Sequence, residues 1–258
     1  MNDIPTLMSY YPTYAFLDDA LNLADNKSLL LFIDLKGCLA SLHTEWAKNY
    51  LVTQSRGREV DVSIFSAFMT FLEWHKIYAH KRGVKLEIVA FFENGDSAYH
   101  KNVHPGYKDN RLLRKWFGLD ADEQDIVLST VEKNLNLIER LCNYIPNVSV
   151  IKLEYLEADF MPWYVMNKAN DGCNDKTVVI YSADKDMLQC LTKKNIFQFY
   201  RHSRVSKMIT WKDVYDHFFK IPLDTSVNEY FPLILSIIGD IADDFKGVPS
   251  VGKKRIIS

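Results

Sequence analysis

The chain has 258 residues, of which 48% are hydrophobic and 25% charged, a composition typical of a folded globular protein rather than a disordered one. The formal net charge is −2, from 31 basic and 33 acidic residues, so a nucleic-acid surface would require basic residues gathered on one face. Four cysteines are scattered without CxxC spacing, which favours reduced thiols over a zinc site: Cys38, Cys142, Cys173 and Cys190.

The first residues read as an accessory segment. Residues 1–27 are polar and aromatic and predict an N-terminal arm that packs on the main domain. They lack a basic segment followed by a long apolar core, and no stretch of the chain reaches the roughly 18 apolar residues of a membrane span. We therefore expect a cytoplasmic protein with no membrane partner, in a bacterial or phage-infected cell.

Apolar runs that end in an acid recur along the chain. Residues 28–37 (SLLLFIDLKG) reach Asp34, and residues 84–95 (VKLEIVAFFENG) reach Glu93. Two further runs, beginning at Val148 and Val178, each lead to a pair of acids: Glu157 with Asp159, and Asp184 with Asp186. Runs rich in branched and aromatic residues are typical of buried parallel strands.

Helical patterns separate these strands. Residues 60–83 keep apolar residues three and four apart and end at Gly83, and a long helix is predicted over about 123–144. Further helices are expected within 148–171 and over 210–220, and the segment NIFQFYR reads as a strand. Alternating strands and helices predict an α/β fold with a central, mainly parallel sheet flanked by helices.

Parallel strands would bring six carboxylates to one edge of this sheet. Like charges so close repel strongly, and a bound polyvalent cation relieves that repulsion. Oxygen ligands of this kind suit Mg²⁺ or Mn²⁺. The alternative for any single acid is an ordinary loop or helix cap, and Ser182 and Asp184 are good capping residues.

The C-terminal region carries a second signal. Asp240 and Asp243 are three residues apart, hence on one face if helical, and the glycine-bounded segment GVPSVG follows. Its glycines permit a tight turn, and the backbone N–H groups of the next helix could cradle a phosphate beside Lys253 and Lys254. The pattern predicts a helix-hairpin-helix element that contacts a nucleic-acid backbone. The alternative is an ordinary turn between two helices.

Six motifs in order along residues 29–258 resemble those of the 5′ nuclease superfamily, the flap endonucleases and 5′-3′ exonucleases with a PIN-like core, including phage-type ribonuclease H relatives. They are LLLFIDLKG, VAFFENG, HPGYKDNR, YLEADF, YSADKDMLQCL and IIGDIADDFKGVPSVGKK. The last two are similar to the family patterns SxDKDLLQL and xxGDxxDNxxGVxGIGxK.

The resemblance implies a domain plan and two metal groups. Residues 28–205 would form the catalytic core, with an arch or clamp over 96–118, and residues 206–258 a helix-hairpin-helix region that is incomplete at its C-terminal end. Two ions, Mg²⁺ or Mn²⁺, would be held by one group containing Asp34, Glu93, Glu157, Asp159 and Asp184 and a second containing Asp186, Asp240 and Asp243. K⁺ is a further candidate ion at the hairpin.

The resemblance also assigns roles to basic and hairpin residues. Lys108 and Arg111 match residues that sit over the scissile phosphate, where a fixed cation offsets charge in the transition state. Tyr107 is expected to stack on an unpaired base. The remaining nucleic-acid contacts would come from Arg114, Lys115, Gly247, Val248, Gly252, Lys253 and Lys254.

The sequence departs from the family pattern at several positions. Glu93 stands where aspartate is usual, and Phe160 replaces the second acid of EADD. His100 stands roughly where an arginine is common, and His104 replaces an aromatic residue. The chain ends shortly after the hairpin, so we expect either a truncated product or an abbreviated second DNA-binding helix.

The implied function is a divalent-metal-dependent, structure-specific 5′ nuclease acting in replication or repair. It would act as a monomer on DNA with a 5′ flap, nick or free 5′ end, or on RNA–DNA hybrid, and the sequence leaves exonuclease and flap endonuclease preferences open. The alternative is a non-catalytic nucleic-acid-binding relative. A smaller PIN-like ribonuclease is a third option, but that fold would not need the GVPSVG hairpin.

Overall fold

The computed structural model describes residues 19–20, 22, 28–46, 52–55, 57–61, 63–94, 98–107, 121–168, 175–202, 205–214, 230–240, 245–252 and 255. Within these ranges no helix is both long enough and apolar enough to cross a membrane. Three of the cysteines fall in them: Cys38, Cys142 and Cys190 are buried and form no disulfide with one another.

The described strands form one large sheet and two ribbons. The strands are β1 Ser28–Asp34, β2 Val52–Ser55, β3 Arg58–Asp61, β4 Lys85–Asn94, β5 Val148–Glu154, β6 Thr177–Tyr181, β7 Ile196–His202, β8 Val205–Ile209, β9 Gly239–Asp240 and β10 Phe245–Lys246. The large sheet has the order β5-β4-β1-β6-β7-β8, while β2 pairs with β3 and β9 with β10. Within the large sheet every pairing is parallel except the antiparallel pairing of β8 with β7.

The described helices lie between these strands in the chain. They are α1 Leu35–Trp46, α2 Ser63–Lys81, α3 Ala98–Val103, α4 Ala121–Cys142, α5 Phe160–Lys168, a 3₁₀ helix over Lys185–Cys190, and α6 Phe231–Ile238. Gly83 follows α2 with φ of +66°, a conformation that glycine adopts without strain at a helix end. The predicted helices over 60–83 and 123–144 thus correspond to α2 and α4.

Both faces of the sheet are buried, which explains the continuous apolar runs in the sequence. In β1, Leu31 and Ile33 pack with α1, α2 and α4, whereas Leu30 and Phe32 pack with α5, the 3₁₀ helix and α6. All of the apolar side chains of β1 are at most 5% exposed. The predicted α/β architecture, a mainly parallel sheet between helical layers, is confirmed.

The strand order places the acids. β1 pairs with β4 on one side and with β6 on the other, so their carboxyl ends lie side by side. The chain proceeds outward in one direction through β4 and β5 and in the other through β6 and β7. Such a reversal leaves a crevice at the carboxyl edge of an open α/β sheet, where ligands usually bind.

Several local predictions differ from the structure. The apolar residues after Asp184 form a 3₁₀ helix, and residues 60–61 end a strand before α2 begins. The pairs β2–β3 and β7–β8 were not predicted from the sequence. The predicted helix over 210–220 and the N-terminal arm lie largely outside the described residues.

The C-terminal segment also differs from its prediction. Asp240 and Asp243 would share one face only if this segment were helical, and Asp240 is not helical because α6 ends at Ile238 and Gly239 follows with a φ of +82°. Asp240 instead pairs with Phe245 in the ribbon of β9 and β10. The described residues show this ribbon and the turn that follows it, and the helix-hairpin-helix element stays a prediction.

Two glycines hold the ribbon against α6. A Cβ atom on Gly239 would lie 2.1 Å from the backbone nitrogen of Gly247, and one on Gly247 would lie 2.2 Å from the carbonyl carbon of Ile238. The Val248 amide donates to the carbonyl oxygen of Ile237 at 2.8 Å. Backbone packs directly on backbone here, so neither position accepts a side chain.

We predict that Gly239→Ala destabilises this segment. Its φ of +82° with ψ of 165° lies in a region that is essentially restricted to glycine, and such strain costs about 1–3 kcal/mol. Thermal unfolding and hydrogen exchange at the Val248 amide would measure the loss. Gly252→Ala is the matched control, because a Cβ atom there meets nothing within 4 Å. Equal stability of the two variants would contradict the proposed packing.

Candidate metal centre

Three carboxylates converge at the carboxyl edge of the sheet. One oxygen from each of Asp159, Asp184 and Asp186 lies within 4.8 Å of the other two. Asp159 lies in the turn that opens α5, where the Phe160 and Met161 amides donate to the carbonyl oxygens of Glu157 and Ala158. The other two acids follow β6, so two neighbouring loops build one cluster.

Hydrogen bonds fix the loop between β6 and the 3₁₀ helix. The Asp184 amide donates to Ser182 Oγ at 3.1 Å, and the Asp186 amide donates to Asp184 Oδ1 at 2.9 Å. Asp184 is therefore the N-cap of the 3₁₀ helix as well as a member of the cluster. The capping interpretation and the metal-ligand interpretation of this residue are compatible.

Asp34 ends β1 next to this loop. Its carboxylate accepts hydrogen bonds from the Gly37 amide at 3.1 Å and from Ser182 Oγ at 3.4 Å. Burial raises the pKa of Asp34 to about 7, and the charges of Glu93 and Asp184 act in the same direction. A Cβ atom on Gly37 would lie 2.6 Å from Asp34 Oδ2, so a larger residue there would displace this carboxylate.

The two remaining core acids have different partners. Glu93, near the end of β4, forms an ion pair with Lys36 at 3.3 Å. Glu157 is buried, and its Oε2 accepts a hydrogen bond of 2.7 Å from the hydroxyl of Tyr107. Asp34, Glu93 and Glu157 thus border the three-carboxylate cluster without being members of it.

Asp240 lies beside a lysine. The ammonium group of Lys185 donates to Asp240 Oδ2 in an ion pair. Lys185 lies between Asp184 and Asp186 in the chain, so the β9–β10 ribbon approaches the centre through this contact. The resemblance grouped Asp186 with Asp240 and Asp243, whereas the structure groups Asp186 with Asp159 and Asp184.

Tyr107 is not presented as expected for base stacking. It is 8% exposed, and its ring stacks on that of His100 with centroids 4.9 Å apart. Its hydroxyl is engaged with Glu157, because the residues after α3 fold back onto the edge of the sheet. The ring is thus buried and the hydroxyl bonded to a carboxylate, and stacking of Tyr107 on a base stays a prediction.

Phe160, which replaces an acid of the family pattern, begins α5 with its side chain 42% exposed. Its ring contacts Trp163 edge-on at 6.2 Å. At the hairpin, Val248 and Gly252 are exposed and Gly247 is half-buried. Seven other predicted positions lie outside the described residues: Lys108, Arg111, Arg114, Lys115, Asp243, Lys253 and Lys254.

The donor set fits a divalent cation. Three carboxylate oxygens within 4.8 Å of one another supply the hard ligands that Mg²⁺ and Mn²⁺ prefer. Burial is the main cause of the raised pKa of Asp34, and the nearby charges of Glu93 and Asp184 add to it. The role of each acid as a ligand stays a prediction.

Sequence reasoning missed several supporting residues. Ser182 was considered only as a cap, yet its hydroxyl joins Asp34 to Asp184. Lys36 and Lys185 each neutralise an acid. Their positions next to the strand-end acids were the available signal, since a lysine beside several carboxylates is favourably placed to pair with one.

The fold and the acidic edge define an α/β protein with a carboxylate centre suited to divalent cations, and a family match makes the class specific. The model of the 5′-3′ exonuclease N-terminal resolvase-like domain matches residues 30–219. The chain therefore belongs to the 5′-3′ exonuclease family.

Solved structures of bacteriophage T5 proteins share the fold. A T5 protein co-crystallised with metal ions superposes with a TM-score of 0.62 at 21% identity, and T5 5′-exonuclease with bound zinc superposes with 0.62 at 19%. A T5 flap endonuclease variant in a pseudo-enzyme–product complex with DNA and metal ions gives 0.61 at 20%. Each match covers 88% of this chain and 72% of the other.

We predict that Mn²⁺ stabilises the protein more at about pH 8 than at about pH 6. The pKa of Asp34 is about 7, so a proton at the lower pH removes a negative charge that would attract the cation. Without metal, Asp34 has the opposite effect on the pH dependence of stability. The folded-state pKa exceeds the ordinary value of 3.8, so Asp34 makes the free energy of unfolding fall as pH rises from about 4 to about 7.

Melting temperatures with Mn²⁺ or EDTA at both pH values test this prediction. Asp34→Asn is the control. It should remove the contribution of this carboxyl group to the pH dependence of the Mn²⁺ effect and to the pH dependence of stability in EDTA. An Mn²⁺-induced shift in the wild type that is equal at the two pH values would contradict it.

We predict that Tyr107→Phe destabilises the protein by about 1.5–3 kcal/mol, since it removes a hydrogen bond to a buried carboxylate. Chemical denaturation would measure the loss. Tyr99→Phe is the matched control, because Tyr99 is 58% exposed and exposed changes usually shift stability by less than about 0.5 kcal/mol. Unchanged stability with weaker nucleic-acid binding would instead favour a direct contact of Tyr107 with the substrate.

Proposed function

We propose that the chain is a divalent-metal-dependent, structure-specific 5′ nuclease. It would hydrolyse phosphodiester bonds at 5′ ends or flaps of DNA, or of RNA annealed to DNA. The observation that carries the proposal is the cluster of Asp159, Asp184 and Asp186 beside Asp34, at the crevice of a family fold. Carboxylates concentrated in this way can hold the cations that phosphodiester hydrolysis by such a site requires.

Bound divalent ions would supply two kinds of chemistry, activation of a water molecule and neutralisation of charge on the phosphoryl oxygens and leaving group. Asp159, Asp184 and Asp186 would hold an ion, most readily Mg²⁺ or Mn²⁺. Asp34 would complete the negative site once it loses its proton. Lys185 compensates Asp240, which we propose as a carboxylate of the second ion group together with Asp243.

The basic segment is proposed to hold the scissile phosphate. Lys108 directly follows Tyr107, and Tyr107 is bonded to Glu157 at the edge of the sheet. We propose that the ammonium group of Lys108, which starts next to this point in the chain, contacts a phosphate bound at the centre. Arg111, Arg114 and Lys115 would extend the same surface along the substrate.

The nucleic-acid partner is inferred from two observations. One relative is described as a flap endonuclease in complex with DNA and metal ions. In this chain the turn after β10 exposes Val248 and Gly252, as a backbone-contacting hairpin requires. We propose that this turn, together with Lys253 and Lys254, binds the duplex part of the substrate.

We predict that Asp184→Asn lowers cleavage by at least about 100-fold while leaving DNA affinity unchanged or raised, since it removes negative charge beside the phosphate. Cleavage of a 5′-labelled flap, a nicked duplex and an RNA–DNA hybrid, each with Mg²⁺ and with EDTA, would measure this effect. Asp175→Asn is the matched control. It makes the same chemical change at an exposed position before the amino end of β6, away from the centre.

Normal turnover in the Asp184→Asn variant would show that this crevice is not the active site. Tight binding of all three substrates by the wild type without Mg²⁺-dependent cleavage would favour the non-catalytic relative. The relative rates on the three substrates would also separate exonuclease from flap endonuclease preference and DNA from hybrid preference.

A further inference from the structure

A buried amide lies directly beneath the loop that carries Asp184 and Asp186. Gln198 is in the middle of β7 and is 0% exposed. Its register partners on the two flanking strands are Ile180 and Ile209, both of which are buried in the apolar layer under the 3₁₀ helix. A primary amide in such surroundings costs several kcal/mol unless it forms hydrogen bonds.

Both donor hydrogens of this amide have partners in one loop. Gln198 Nε2 donates to the carbonyl oxygen of Ser182 at 2.9 Å and to that of Asp184 at 2.7 Å. A side-chain amide nitrogen carries only two hydrogens, so its donor capacity is fully used. The two carbonyl groups flank Ala183, and the side chain therefore holds both ends of the turn that leaves β6.

This turn is the part of the chain that organises the centre. Ser182 Oγ donates to Asp34 and accepts from the Asp184 amide, and Asp184 in turn accepts from the Asp186 amide. A shift of the turn would move Asp184 and Asp186 relative to Asp159 and would disturb the contact of Ser182 with Asp34. The amide of Gln198 is the side-chain support of this turn from within the sheet.

The carbonyl oxygen of the same amide gains no hydrogen bond from its buried position. Within the described part of the chain, Gln198 Oε1 accepts no hydrogen bond although it is buried. An unsatisfied buried acceptor costs about 1–3 kcal/mol, and an apolar side chain of similar shape avoids that cost. What glutamine contributes at this position is therefore its two hydrogen bonds to the acidic loop.

We propose that Gln198 is a positioning residue that sets the divalent-cation affinity of the centre by holding the Ser182–Asp184 turn. The proposal rests on the proposed function, because it assigns the cluster to a cation. Residues that support metal ligands from behind typically contribute about 10–100-fold in metal affinity or activity. Gln198 would act in this way without contacting the ion.

The test compares Gln198→Met with a matched control, Thr177→Val. Thr177 is also 0% exposed and its hydroxyl has no partner in the described residues, but it lies at the amino end of β6, away from the acidic loop. Binding of Mn²⁺ alone would be followed by the electron paramagnetic resonance of the free ion. Nuclease activity would be titrated with Mn²⁺, and melting temperature would be recorded in EDTA.

We expect Gln198→Met to weaken Mn²⁺ binding by about 10-fold or more and Thr177→Val to leave it unchanged, while both variants still melt in a single transition in EDTA. The Mn²⁺ concentration for half-maximal activity should rise by the same factor, and turnover at saturating Mn²⁺ should largely recover. A residue that only supports the fold would not produce this separation.

Wild-type Mn²⁺ affinity in the Met variant would overturn the proposal, as would an equal loss of affinity in Thr177→Val. If the Met variant does not fold, Gln198→Asn decides the matter, because it keeps a buried amide but withdraws it from both carbonyl groups by one methylene. The proposal is overturned if that variant binds Mn²⁺ as the wild type does. Absence of wild-type cleavage, with intact Mn²⁺ binding that depends on Gln198, would instead count against the proposed function alone.

Discussion

Electrostatic repulsion among the carboxylates at the carboxyl edge is the constraint around which this molecule is arranged. Parallel pairing of β1 with β4 and β6 brings Asp34 near Glu93 and Asp184, and nothing in a parallel sheet prevents strand-end acids from meeting. The protein offsets the repulsion locally. Lys36 pairs with Glu93, Lys185 pairs with Asp240, and the raised pKa of Asp34 lets it keep a proton near neutral pH.

In the cluster of Asp159, Asp184 and Asp186, one oxygen of each acid lies within 4.8 Å of the other two, which is the arrangement that a cation can bridge. Backbone and side-chain donors hold two of its members by capping and by the Ser182 bridge. The buried amide of Gln198 supports the same turn from the apolar layer below. Rigid support of this kind keeps like charges close in the absence of metal, which is the condition for binding a cation without a large rearrangement.

The sequence predicted those features that depend on strand order and on apolar patterning. Buried strands that end in acids, alternating with helices, are sufficient to place Asp34, Glu93, Asp159 and Asp184 along one edge. It did not predict the ribbon at Asp240, because the end of α6 depends on the positive φ of Gly239 and on its contact with Gly247. That contact joins residues whose approach no local pattern reveals.

The supporting polar residues were unpredictable for a related reason. Tyr107 and Glu157 are fifty residues apart in the chain, and a tyrosine in a basic segment reads equally well as a substrate contact. Gln198 lies in a strand whose neighbouring residues are apolar, and only the pairing of β7 with β6 places it beneath the acidic turn. Side-chain partners across such distances follow from the assembled sheet and not from periodicity.

The most direct measurement of the central claim is an anomalous difference map from crystals soaked in Mn²⁺. We expect a peak bound by carboxylate oxygens of Asp159, Asp184 and Asp186, at the edge of the sheet next to Asp34. Mn²⁺ bound elsewhere, with these three side chains left without an ion at saturating concentration, would contradict the assignment of this crevice as a metal centre.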